Sequence, residues 1–146
     1  MAERTVSEVL DRFPRTWLDR DHLAFFEGFL DERLLINRCQ DCGKWFQPPW
    51  PSCPNCWSDD VQPTEVSGKG VVNTFVILHV GPLRGVEGVD YVAGYPLLVV
   101  ELEEQVGLRA TATMVDCALE DIRIGMPVAL TWIERDGHPI PAFRPA

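Results

Sequence analysis

Four cysteines in two close pairs, Cys39-x₂-Cys42 and Cys53-x₂-Cys56, are the residues of this sequence best suited to chemistry. An x₂ spacing lets two thiolates reach one ion while backbone amides of the turn point at the sulfurs. Ten residues separate the pairs, and two such knuckles complete a tetrahedron with Zn–S distances of about 2.3 Å. The pattern predicts one structural Zn²⁺ per chain, with an iron–sulfur or rubredoxin-like iron site as the competing assignment. Four thiolates fill the coordination shell. A hydrolytic zinc centre needs an open position for water or substrate, so this one is expected to fold its segment rather than catalyse. Gly43 follows the first knuckle, where a positive φ is easily supplied, and Pro54 lies inside the second. Trp45, Phe46, Trp50 and Trp57 are expected to give the site its apolar cover.

Little else in the chain is arranged for catalysis. His22, His79 and His138 are its only histidines, and none sits in a motif with a nucleophile or carboxylate. There is no G-x-S-x-G elbow, H-E-x-x-H pair or Walker-type G-K-[ST]. Glu101, Glu103 and Glu104 end a strand and read as a solvated edge. Cys117, remote from both knuckles, reads as a small buried hydrophobe. Gly81, Gly85, Gly88 and Gly94 punctuate a long loop that lacks a lysine or helix start to hold phosphate, which favours a mobile or partner-contacting loop.

The elements around the cysteines divide the chain in three: an N-terminal helical segment over 1–36, a zinc ribbon over 37–66 and a barrel over 67–146. Residues 1–16 are expected to be loosely held, with Pro14 interrupting any helix. Asp19 or Asp21 is a candidate cap for a helix running to about Arg33. On it Leu23, Phe26 and Leu30 recur at i, i+3, i+7, flanked by Phe25 and Phe29. Packing on the protein's own body and docking a partner are both open readings of that stripe, and Leu23, Phe25, Phe26, Phe29 and Leu30 are the candidate partner-binding residues. The ribbon segment has little regular signal. Beyond Gly68, strands are predicted over 71–79, 95–102, 108–115, 128–134 and 140–143, with Asp136-Gly137 as a hairpin turn. Residues 117–124 supply one or two helical turns between the third and fourth strands. Five strands so interrupted are the layout of an OB-fold barrel, and the fold class is mainly β.

Composition bounds the function. With 13 basic against 22 acidic residues, the net charge of −9 leaves no surplus for neutralising phosphates, which argues against a single-stranded nucleic-acid module. Met1 to Arg15 is polar and charged, unlike a secretory leader, and no apolar run reaches the ~20 residues of a membrane span. Cysteines paired for a metal fit a reducing cytoplasm, the expected location.

Phe25-Phe26-Glu27-Gly28, the two Cys pairs with Pro48-Pro49 between them, and Gly68-Lys69-Gly70-Val71-Val72 then gain meaning as a set. With them stand Tyr95-Pro96, Val100-Glu101-Leu102, Ile124-Gly125-Met126-Pro127-Val128 and Pro141-Ala142-Phe143-Arg144-Pro145. From about Asp21 to Pro145 the chain resembles the zinc-ribbon plus OB-fold proteins associated with acyl-CoA metabolism, a family long catalogued as a domain of unknown function. The resemblance implies a rubredoxin-like ribbon, a C-terminal OB barrel and a role beside a thiolase-fold enzyme, whose own groups do most of the chemistry. It carries over the four zinc cysteines residue by residue and no CoA-contacting position. The expected function is a non-catalytic accessory subunit in an α₂β₂ assembly, with acyl-CoA at or near the shared interface. The partner reaction would be carbon–carbon cleavage or formation, a steroid side-chain retro-aldolase first among the choices. A stand-alone acyl-CoA-binding protein is the third alternative.

Overall fold

The computed structural model describes residues 4–16 and 18–146, so residues 1–3 and 17 of the N-terminal segment lie outside the described residues. The chain opens with α1 (Val6–Arg12), nucleated by a capping box. Thr5 Oγ1 accepts from the Glu8 amide, and Glu8 returns its carboxylate to the Thr5 amide at 2.7 Å. This corrects the expectation of a loosely held start. Pro14 follows the helix instead of preventing it, and α1 is docked, with Val9 and Phe13 0% and 3% exposed. Arg4 forks onto Asp31 at 2.8 and 2.9 Å, Arg12 donates to the Gly137 carbonyl, and Arg15 pairs with Asp136.

The second helix, α2 (Leu23–Leu30), is shorter at both ends than predicted. Asp19 accepts from the amides of Asp21 and His22 in the turn ahead of the helix, so it organises the approach without being the N-cap, which is His22. At the far end the amides of Asp31 and Arg33 both turn back to the Gly28 carbonyl, and the chain leaves the helix before Arg33. Gly28 is required there because a Cβ would sit 2.6 Å from the Arg33 carbonyl oxygen and 2.9 Å from Leu35. The helix therefore closes directly onto the next strand.

That strand, β1 (Leu35–Cys39), is the centre of a three-stranded antiparallel sheet, flanked by β2 (Trp45–Phe46) and β3 (Val61–Glu65). The barrel then closes in the order β4-β5-β6-β8-β7. Its strands are β4 (Lys69–Leu78), β5 (Tyr95–Leu102), β6 (Arg109–Met114), β7 (Pro127–Arg135) and β8 (His138–Pro145), with a 3₁₀ turn at Leu119–Asp121 between β6 and β7. This is the expected five-stranded OB architecture. Asp136 and Gly137 both have positive φ and form the predicted β7–β8 hairpin.

One continuous core joins the parts. Leu34, Ile36 and Val66 from the ends of the ribbon pack with Val72, Leu98, Val100, Leu102, Met114 and Phe143 of the barrel, and Val9, Phe13 and Phe29 complete the cluster. Each fully buried large side chain contributes roughly 1.5–3 kcal/mol.

Candidate metal centre and docking face

The two cysteine pairs meet at one point. All four sulfurs lie within 4.8 Å of one another, with Cys39–Cys56 and Cys42–Cys53 each at 3.6 Å. Tetrahedral Zn–S bonds of about 2.3 Å require sulfurs about 3.8 Å apart, so the side chains fit the ion. The first knuckle leaves β1 at Cys39 and turns at Gly43, whose φ is +76°. Cys39 and Cys53 are buried, whereas Cys42 and Cys56 face outward. Amides support the sulfurs: Cys42 donates to Cys39 Sγ, Asn55 to Cys53 Sγ, and the Asn55 carboxamide to Cys42 Sγ. The Lys44 amide, then the Asn55 side chain, pull the Cys42 thiol down to about 6. At Cys56 the Ser58 amide pulls the same way, but burial and the three neighbouring sulfurs outweigh it and push the thiol up to about 12. Four thiols so close together cannot all ionise without a cation, and a divalent ion supplies the missing charge. The site is a closed structural zinc centre.

Its apolar cover differs from expectation. Phe46 is buried with Cys39 and Cys53, and Val61 packs against them. Trp50 and Trp57 instead stand 59% and 79% exposed. Trp45 faces the barrel, where Gln105 accepts from its amide at 3.0 Å and donates to its carbonyl at 2.9 Å. Arg38 stacks over its ring. That clamp ties the ribbon to the β5–β6 turn, and nothing local in the sequence announces it.

The five candidate docking residues share α2 but not one environment. Phe29 is buried against Phe13 and Trp132 of this chain. Leu23, Phe25, Phe26 and Leu30 are half-buried, packed on the core along one edge. Phe25, Phe26 and Phe29 line one side of a cleft of about 440 Å³, whose other side includes Leu83, Tyr95 and Ile140. The glycine-punctuated loop over 79–94 is organised: Tyr91 Oη accepts from the Leu83 amide, His79 Nδ1 lies 3.1 Å from the Tyr91 carbonyl, and Val86 is buried. Tyr95 is largely buried in the wall of that cleft, with Arg135 donating to its hydroxyl. His22 pairs with exposed Asp19 at 2.7 Å, and His138 is buried against Phe13. Cys117 is partly exposed at the edge of the core, not enclosed.

Comparison with known proteins agrees with this geometry. The model of the ChsH2 rubredoxin-like zinc ribbon domain matches residues 26–62, and that of the ChsH2 C-terminal OB-fold domain matches residues 63–132. A "DUF35 domain-containing scaffold protein" of Methanocaldococcus jannaschii is 37% identical over 107 residues, covering 71% of this chain and 72% of that protein. A "Probable enoyl-CoA hydratase alpha subunit" of Thermomonospora curvata is 38% identical over 146 residues, 99% of this chain. A "3-oxo-4,17-pregnadiene-20-carboxyl-CoA hydratase alpha subunit" of Mycobacterium tuberculosis is 32% identical over 138 residues, 92% of this chain. The chain spans 44% and 41% of the lengths of those two hydratase subunits. Among solved structures, a chain of the "Ltp2-ChsH2(DUF35) aldolase" superposes with a TM-score of 0.78 at 37% identity, covering 90% of this chain and 98% of that one.

Proposed function

This chain belongs to the DUF35 family, in its ChsH2 form of zinc ribbon followed by OB-fold domain, and from that premise we propose that it is an accessory subunit of a thiolase-fold enzyme acting on acyl-CoA. The partner supplies the reacting groups. This chain supplies a docking face and part of the wall around the acyl-CoA. The observation that carries the reading is the half-buried edge of α2: Phe25 and Phe26 continue from the core into an open apolar cleft instead of being closed over. The exposed Trp50 and Trp57 add two side chains of the type that anchors interfaces.

The relatives named as a scaffold protein and as part of an aldolase support a non-catalytic role. The pregnadiene-carboxyl-CoA relative supports a steroid-type acyl group and a retro-aldol cleavage. A symmetric thiolase-fold dimer would carry two copies, giving α₂β₂. Among the described residues no helix is long and apolar enough to cross a membrane, and the cytoplasm is the compartment in which thiolates of a zinc site stay reduced.

Co-expression with a thiolase-fold partner followed by size-exclusion chromatography tests the reading. Wild type should co-elute at the mass of a heterotetramer. Phe26→Glu and Leu30→Glu should abolish co-elution while the barrel still melts cooperatively. A complex that survives both changes removes α2 from the interface, and a lone monomer with every partner tried overturns the reading.

A further inference from the structure

Two seams of the barrel are zipped at one end only: β4 meets β7 from Lys69 to Val71, and β6 meets β8 over a shorter stretch still. β6 pairs with β5 from Arg109 to Thr113, yet with β8 only at Thr113–Ala142 and Met114–Phe143. The register explains why the ladder stops. Leu102 donates to the Leu108 carbonyl, so Leu108, Ala110 and Ala112 turn their backbone groups to β5. By alternation Arg109, Thr111 and Thr113 turn theirs towards β8. Across the seam, Val115 donates to the Phe143 carbonyl, which puts positions 139, 141 and 143 of β8 on the side facing β6. Two of those three are Pro139 and Pro141. Proline has no N–H, so the Thr111 carbonyl meets no donor at position 141 and the zipper ends there.

The open stretch is a slot of about 250 Å³. Its floor is apolar, from Phe25, Ile36 and Phe143, and Phe25 also lines the larger cleft beside α2. Gln47 borders it from the ribbon, and Gln47 Oε1 is buried without a hydrogen-bond partner. Arg109 stands at the rim with no side-chain partner among the described residues, an unpaired cation on a chain of net charge −9.

We propose that this slot takes an extended segment of the partner subunit, which adds as a short strand to the free edge of β6 at Arg109–Thr111, with a carboxylate of that segment paired to Arg109. The inference rests on the accessory-subunit reading and names how the partner is held. An extended peptide matches the slot because it brings alternating N–H and C=O groups to the Arg109 and Thr111 backbone. It also has N–H groups for Gln47 Oε1, and small apolar side chains suit the floor. Leaving such an edge unpaired in the free chain is otherwise a liability.

The test is amide-resolved hydrogen exchange on the full chain, alone and in complex with the co-expressed thiolase-fold partner. The Arg109 and Thr111 amides should exchange freely in the isolated chain and slow by tenfold or more in the complex. Thr111→Pro removes an N–H that the barrel does not use. It should leave melting unchanged and weaken the complex by about tenfold. Pro141→Ala restores the missing donor and should let β8 zip onto Thr111, protecting the new amide at position 141 and weakening the complex. Arg109→Glu should weaken it with the salt sensitivity of a lost ion pair. A complex whose Arg109 and Thr111 amides stay unprotected overturns the inference while leaving the accessory-subunit reading intact, as does a Pro141→Ala chain that zips its seam and binds as tightly as wild type. Protection of the same amides by acetyl-CoA, as a generic acyl-CoA probe, without any partner overturns it in favour of a small-molecule occupant. Absence of any complex with the wild-type chain overturns both.

Discussion

The ribbon and the barrel solve the same problem by different means. Among the described residues, the ribbon's own buried cluster is Cys39, Phe46 and Cys53, with Val61 alongside, whereas the barrel, helices and ribbon ends share sixteen buried residues. A core as small as the ribbon's cannot offset the chain entropy of its long turns. Zinc ligation supplies what burial lacks, and in zinc-finger peptides such binding is worth roughly 10–16 kcal/mol. The barrel needs no ion because alternating strands bring Leu98, Val100, Val128 and Phe143 to one interior. The lesson is that the boundary between the two regimes does not follow the domain boundary. Ile36 belongs to the ribbon's sheet by pairing and to the barrel's core by packing, and Leu34 just ahead of that strand packs in the same core.

The largest effect should come from removing the metal. Chelation, or Cys53→Ser, should collapse the knuckles and β2, erasing the near-ultraviolet dichroism of Trp45 while the barrel keeps a cooperative melt. Loss of both signals in a single transition would show that the ribbon and barrel fold as one unit and break the comparison. Phe143→Ala is the matching change in the barrel, where the side chain is fully buried. It should cost about 3–5 kcal/mol and lower Tm, while zinc content measured by a colorimetric chelator stays at one per chain.

The smallest effect concerns α1, which is held by neither metal nor barrel strands alone. The Arg4 guanidinium beside Asp31 holds that carboxyl below its ordinary 3.8, and the Thr5 amide and hydroxyl hold Glu8 below 4.5. Both pKa values are depressed by folding. Their contribution is therefore fully present above the ordinary values and is lost as pH falls through the folded ones. Exchange of the Val9 amide, corrected for its intrinsic pH dependence, should accelerate on acidification below about pH 4. A flat profile would assign α1 wholly to the packing of Val9 and Phe13.

Much of the fold was legible because its signals are local. The x₂ knuckles, the period-two strands after Gly68, the Asp136-Gly137 turn and the 3₁₀ turn before Gly125 each depend on residues a few positions apart. The docking of α1 was not legible. Thr5-x-x-Glu8 and the spacing of Val6, Val9, Leu10 and Phe13 do mark a capped amphipathic helix, but the ring partners of Phe13, which are Phe26, Phe29 and His138, come from elsewhere in the chain. Trp50 and Trp57 misled in the opposite sense. Aromatic type suggested cover, but Trp57 follows the second knuckle with a positive φ of 63° and leaves its ring in solvent. On α2 the periodicity identified the apolar edge correctly and could not say that Phe29 would be taken by Phe13 and Trp132.

By itself the sequence determined the four zinc ligands, the number of barrel strands and the apolar face of α2, because ligand spacing and side-chain alternation are properties of a short stretch of chain. The tertiary structure alone decided which of those apolar residues stay open, how Gln105 fastens the ribbon, and where the barrel's seam ends. Each of those is a meeting of residues distant in sequence. Pro141 stops a ladder only because the fold turns its nitrogen towards the Thr111 carbonyl, and a missing N–H has consequences only where a carbonyl is waiting for it.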